Sequence, residues 1–457
     1  MKNYLEKPLS IFSSDKKQNK FVTLAFYILF VAILGGGYLV ASKPYLSFNF
    51  FINPQELIRA VKILPALIFI IAGCIFLIPD KIEGITHLYW FLFTLLSAIP
   101  ILVVYVFSGV ADNKNVLIYI YTIEALCILG MYLISKFSIN FPNFSLSKRL
   151  FWIFIVMFIV VAYGYLFITL GLPKDIKLAF KDVYAVRLHY REVGGRFVDY
   201  FVQWMGNVVN PFILTYCIYK KKYKLAPIPV FLELILYMFT AYKSLFVTLI
   251  LAPFFGLILE KGINRGFIQK VIVTFTGLAF IDGVISMVKQ FSLVHSKVLT
   301  SILGHYPSYY TLYLPTIVRM FIWPSLIALE YYDFFWMYPK VKLSHSILGH
   351  FFSNVYKMEP SLYLGALYYG KPEMRLNVTW YGDAYMNFGI LGMIVFALML
   401  YFVLFMIKYV EKKNVCLVSS LLFGGIMALF NGPLLTTLLT SGLGIGLFLA
   451  YLLPEEM

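Results

Sequence analysis

Stretches of about 20 apolar residues recur from one end of this chain to the other, the length that crosses a bilayer as an α-helix. With 61% of 457 residues hydrophobic and only 13% charged, no water-soluble fold hides that much apolar surface. Period-two alternation is absent, which argues against a membrane barrel. The expected fold class is therefore an all-α polytopic integral membrane protein of about 12 transmembrane helices (roughly 11–14) in one transmembrane domain, 1–457.

Candidate spans are 21–41, 61–78, 86–108, 116–135, 150–171, 200–219, 227–242, 243–259, 268–289, 380–408, 414–431 and 433–453. The run 227–259 is too long for one helix, and Lys243 interrupts it, so it reads as two helices joined by a tight turn. The first 20 residues are polar and basic, unlike a cleavable leader, so 21–41 reads as a first span. Cys74, Cys127, Cys217 and Cys416 lie in or beside apolar segments without pairing spacing, so neither a disulfide nor a metal site is expected.

Basic loops set the orientation. Lys136, Lys148 and Arg149, then 220–224 (KKKYK), then Lys261, Arg265 and Lys270, then Lys408, Lys412 and Lys413 all fall on one side if both termini are cytoplasmic. The net charge of +16 thus lies largely in short membrane-flanking loops. Anionic lipid headgroups, rather than nucleic acid, are its natural partner. The same parity puts 172–199 and a large loop, 290–379, on the outer face. It requires 311–330 not to cross; Pro315, Arg319 and Pro324 favour a short or re-entrant helix there.

Outer-face arginine is scarce, yet 174–199 (KDIKLAFKDVYAVRLHYREVGGRFVD) carries Arg187, Arg191 and Arg196. Arg187 and Arg191 are four apart and would repel on one helical face. An anion resolves that, and guanidinium suits phosphate. Gly194 and Gly195 break the helix and can bring Arg196 round. Lys243 and Arg319 sit inside apolar runs, where an ionisable group is a functional candidate. An ion pair with Glu124, Glu233 or Asp282 is the competing reading for those two. His345 and His350 are five apart, which is no helical metal spacing. No Walker loop, dinucleotide fingerprint or nucleophile elbow is present, so no soluble nucleotide is consumed.

The segment 377–392, NVTWYGDAYMNFGILG, opens a long helix with Asp383 and Asn387 one turn apart, and Gly389 and Gly392 offer close helix packing. GDAYMNFGILG at 382–392 resembles the C-terminal signature of the Wzy-type O-antigen and oligosaccharide repeat-unit polymerases, a Gly-Asp/Glu-x-Tyr-x-Asn-Phe-Gly-x-x-Gly pattern after a large periplasmic loop. RLHYREVGGR, AYKSLFVTLILAPFF and the R-x(4)-P of RMFIWP are similar in order and spacing. Lys243 departs from the arginine or other polar residue often found in that family.

The resemblance implies a metal-independent glycosyltransferase of the bacterial inner membrane with no cofactor. Its substrates would be two undecaprenyl-pyrophosphate-linked oligosaccharides, one carrying the growing chain and one a single repeat unit. Membrane lipids and a chain-length-regulating co-polymerase would be its partners. Arg187, Arg191 and Arg319, then Lys243 and Arg196, become the expected pyrophosphate contacts. Glu192 and Asp383 are alternative bases for the acceptor hydroxyl, and Tyr381 and Asn387 candidate glycan contacts. Two alternatives stay open: an O-antigen ligase or other polyprenyl-phosphate-dependent transferase, and a lipid-linked oligosaccharide flippase or secondary transporter.

Overall fold

A computed structural model describes residues 20–42, 54–110, 115–172, 186, 190, 192–292, 318–346, 349, 351–352 and 354–457. The described helices are α1 (Lys20–Ser42), α2 (Pro54–Leu77), α3 (Ile85–Ser108), α4 (Val116–Lys136), α5 (Lys148–Leu170), α6 (196–219), α7 (Pro227–Thr240) and α8 (Lys243–Lys261). They continue with α9 (Arg265–Ser292), α10 (318–337), α11 (Pro360–Tyr369), α12 (Trp380–Val410), α13 (Val415–Ala428), α14 (Leu434–Leu439) and α15 (Leu443–Leu452). Among the described residues, eight helices are long and apolar enough to cross a membrane: α1 to α5, α7 (extended back to Tyr223), α8 and α12. The protein is an all-α multi-pass membrane protein.

Local sequence explains where several helices start. Ser147 caps α5 by accepting from Leu150 N at 3.4 Å, and Asn414 caps α13 from Leu417 N at 2.9 Å. The 227–259 run is two helices, turned at Ala241, which is left-handed at φ 52°. The expected span 433–453 is instead two short helices, α14 and α15, with Gly442 at φ 98° breaking the helix between them. The expected 311–330 segment is shifted: the described helix runs from Val318 through a π-helical turn to Met337, and 324–332 is buried throughout.

The chain divides into two compact units. The first comprises 1–81, 89–135 and 263–398; the second comprises 82–88, 136–262 and 399–457. In the first unit α9 packs on α1, α2 on α3, and α10 on α3. In the second, α8 packs against α13 and α6, and α13 against α15. Gly256 permits the α8–α13 approach, since a Cβ there would lie 2.7 Å from Cys416 O.

One polar device organises the second unit. The carboxylate of Glu411, buried at the end of the loop-facing turn after α12, accepts from Ile85 N and, at 3.3 Å, from Thr86 Oγ1. It thereby satisfies donors at the N-terminus of α3, where a carboxyl group is electrostatically welcome. A Cβ on Gly84 would lie 2.6 Å from Glu411 Oε2, so a larger residue there would push the carboxylate aside. Burial raises the Glu411 carboxyl to about 7, against hydrogen bonds from Ile85 and Thr86 that lower it. A carboxyl raised in the folded state stabilises at low pH and loses that contribution as pH climbs through about 7. The thermal midpoint of the purified protein should therefore fall as pH rises from about 4.5 to about 7 and level off above that, and Glu411→Gln should flatten that fall. An unchanged slope in the variant refutes the assignment.

Candidate functional site

In the first unit the 382–392 motif builds a broken helix. α12 is helical on both sides of Gly389, which has φ 67° and ψ −149°, a combination essentially confined to glycine. Gly389 therefore breaks the backbone rather than serving helix–helix packing. Gly392 likewise faces its own helix: a Cβ there would collide with Ala384 O. Both glycines were expected to admit a neighbouring helix, and the reason they do not is this internal kink.

The break is filled by the strap 338–346. Val341 N donates to Met386 O at 3.1 Å, taking a carbonyl that an unbroken helix would offer to residue 390. Leu343 N donates to Asn387 Oδ1 at 2.7 Å, and Asn387 Nδ2 donates to Asp383 O at 2.9 Å and Oδ1 at 3.1 Å. Lys342 and Leu343 adopt φ 52° and 62° to make this turn. Lys340 lies 3.9 Å from the centroid of the Tyr385 ring, a favourable cation–π distance, and its Nζ donates to Phe335 O. Burial lowers the Lys340 ammonium to about 8, so it remains a cation at neutral pH.

Asp383 is thus a carboxylate with one oxygen held by Asn387 and with 7% of the residue still exposed. Tyr331, whose hydroxyl donates to Leu376 O at 2.8 Å, lies close by. The expected glycan contacts fare differently. Tyr381 is buried beside Ser97 and Thr379, and its ring meets Phe93 at 6.1 Å. Asn387 is buried and spends its amide on Asp383 and the strap. Both side chains are buried in the first unit.

The second unit holds the basic segment. Arg187 and Arg191 lie outside the described residues, as does the side chain of Arg196. Their neighbours in sequence are described. Val186 packs on Tyr237 and Ala241, and Tyr190 meets Tyr242 edge-on at 5.8 Å. Tyr190 also donates to Asp199 Oδ1 at 2.7 Å. Burial, with Asp199 beside it, holds this phenol well above its usual range, so it stays a donor. The chain leaves the helix at Gly194 and Gly195, and α6 begins at Arg196. Glu192 is exposed.

Lys243, in the apolar run 227–259, falls at a helix boundary in the fold rather than inside a helix. It is the exposed first residue of α8, where a cation opposes the helix dipole. Arg319 is likewise exposed, in the π-helical turn that opens α10. The competing ion-pair reading finds no support in Glu233, which accepts from Asn210 Nδ2 at 2.8 Å. Nor does it in Glu124, whose two buried oxygens have no hydrogen-bond partner among the described residues. The Asp282 side chain lies outside the described residues.

Sequence reasoning missed Lys340 and Glu330. Glu330 carries a readable signal, a carboxylate inside the apolar run LIALEYYDFF. Lys340 carries none, since its partner Tyr385 is 45 residues away. No protein-family model matches this chain, and comparisons with curated proteins and with solved structures find no match.

Proposed function

We propose that this chain is an oligosaccharide repeat-unit polymerase of a bacterial inner membrane, with twelve spans, cytoplasmic termini and its chemistry on the periplasmic face. The observation that carries the reading is the 382–392 motif: the residues that resemble the polymerase signature form one hydrogen-bonded unit around a nearly buried carboxylate, Asp383. A polar cluster of this kind in a membrane protein marks a functional site by default.

The reaction joins two polyprenyl-linked glycans. An acceptor sugar hydroxyl attacks the anomeric carbon of the donor chain. A C–O bond forms there as the bond to the pyrophosphate oxygen breaks. The hydroxyl proton passes to a carboxylate, Asp383 or Glu192, and undecaprenyl pyrophosphate leaves with the bonding pair. Fixed cations in a poorly hydrated place stabilise that leaving group. Arg187, Arg191, Arg196, Lys243 and Arg319 are the groups proposed for it. The docking of Val186 and Tyr190 on the turn that carries Lys243 supports reading Arg187, Arg191 and Lys243 as one anion site.

Deletion in the host, followed by gel analysis of surface polysaccharide, tests the reading. A polymerase predicts loss of the long-chain ladder with a single capped repeat unit retained. Complete loss of capping would instead indicate a ligase or a flippase. Arg187→Ala and Arg191→Ala should each reproduce the deletion while the protein still inserts. Wild-type ladders from both would refute the pyrophosphate assignment.

A further inference from the structure

A second polar cluster lies in the first unit, between α10 and α11, and the motif site does not use it. Glu330 and Asp333 are three residues apart on α10, so they share one face and repel when both are charged. Tyrosines of α11 cover both. Tyr369 OH donates to Glu330 Oε1 at 2.6 Å, and Tyr368 OH lies 3.3 Å from Asp333 Oδ2 and from the Glu330 carbonyl. The Tyr369 ring packs on Trp323 with centroids 5.1 Å apart. Asp333, Trp323, Tyr368 and Tyr369 are all half-buried and so reachable, whereas Glu330 is 4% exposed.

The decisive atom is Glu330 Oε2. It is buried on the same carboxylate that Tyr369 holds, and no hydrogen bond satisfies it among the described residues. A buried acceptor left in that state is costly unless a donor arrives. Donors on a ligand, an aromatic pair beside them and a second carboxylate one turn away are the chemistry that binds a sugar ring. Its hydroxyls would donate to Glu330 and Asp333, and its apolar face would lie on Trp323 and Tyr369. We propose that Glu330, Asp333, Tyr368, Tyr369 and Trp323 form a glycan subsite, separate from the Asp383 carboxylate, that holds a sugar of the lipid-linked substrate. The assignment of the ligand to a glycan rests on the function proposed above.

The test is saturation-transfer NMR on the full chain in lipid nanodiscs. The probes are four free monosaccharides: rhamnose, galactose, glucose and N-acetylglucosamine. At least one should give a saturable signal. Glu330→Gln replaces the orphan acceptor with a donor, and Tyr369→Phe removes the hydroxyl that orients it. Each should weaken binding about tenfold, the upper end of the scale for one net hydrogen bond. Asp333→Asn, at a half-exposed position that tolerates change, should weaken it independently, so a poorly folded Glu330 variant does not end the test. Absence of a saturable signal from all four sugars overturns the proposal, as does wild-type binding in all three variants. Loss of the signal on adding EDTA also overturns it, since the carboxylates would then be a cation site. Asp383→Asn should keep the sugar signal. If sugar binding depends on Glu330 while deletion of the gene leaves the polysaccharide ladder intact, the polymerase reading falls and the subsite stands.

Discussion

Asp383→Asn should abolish the polysaccharide ladder while leaving the protein inserted and folded. The substitution keeps side-chain size and keeps an oxygen for Asn387 Nδ2, which now sits 3.1 Å from Asp383 Oδ1. It removes only the capacity to take a proton. Loss of a positioned general base costs about 10²–10⁴ in rate, enough to leave single repeat units on a gel. Asn387→Ala is a useful companion. It frees Leu343 N and one side of Asp383 together, so it should lower both stability and activity, whereas Asp383→Asn should lower activity alone. A full-length ladder from Asp383→Asn would move the base to Glu192, and Glu192→Gln should then give the loss.

Gly389→Ala has the second largest expected effect, through conformation rather than crowding. A Cβ at 389 would meet only the Lys340 Cε, at an ordinary 3.6 Å. The backbone there, φ 67° and ψ −149°, costs a non-glycine residue about 1–3 kcal/mol. The helix relieves that strain by straightening, which reclaims Met386 O and expels Val341 N from it. Asn387 would then lose Leu343, and Lys340 its place over Tyr385. The expected result is a lower thermal midpoint with faster proteolysis in the 338–346 strap, together with lost polymerisation. Unchanged cleavage there would show that the strap does not depend on the break.

Much of the membrane architecture was legible beforehand for a simple reason. The free energy of moving an apolar segment into lipid is close to a sum over its residues, so a window along the chain measures it. The turn before Lys243 was legible for the same reason, because one charged residue punctures an apolar run. The failures have a different origin. Gly389 and Gly392 were read as packing glycines, since sequence shows a missing side chain but not a φ angle. Arg319 was read as lying inside an apolar run that does not cross the membrane; in the fold it opens α10 and is exposed. Asn387 and Tyr381 were polar residues in a suggestive motif, yet Asn387 spends its amide inside the protein and the Tyr381 side chain is buried.

The same division holds for the chemistry. Local composition and spacing are enough to specify a multi-pass helical protein, an arginine-bearing segment and a carboxylate one turn from an asparagine. Folding alone puts Lys340 over the Tyr385 ring, docks Val186 and Tyr190 on the turn before Lys243, and leaves one oxygen of Glu330 without a donor among the described residues. Those facts depend on partners from 39 to 55 residues away in sequence. Burial and hydrogen-bond satisfaction belong to pairs of surfaces brought together by folding, and no window along one strand of sequence contains both members of such a pair.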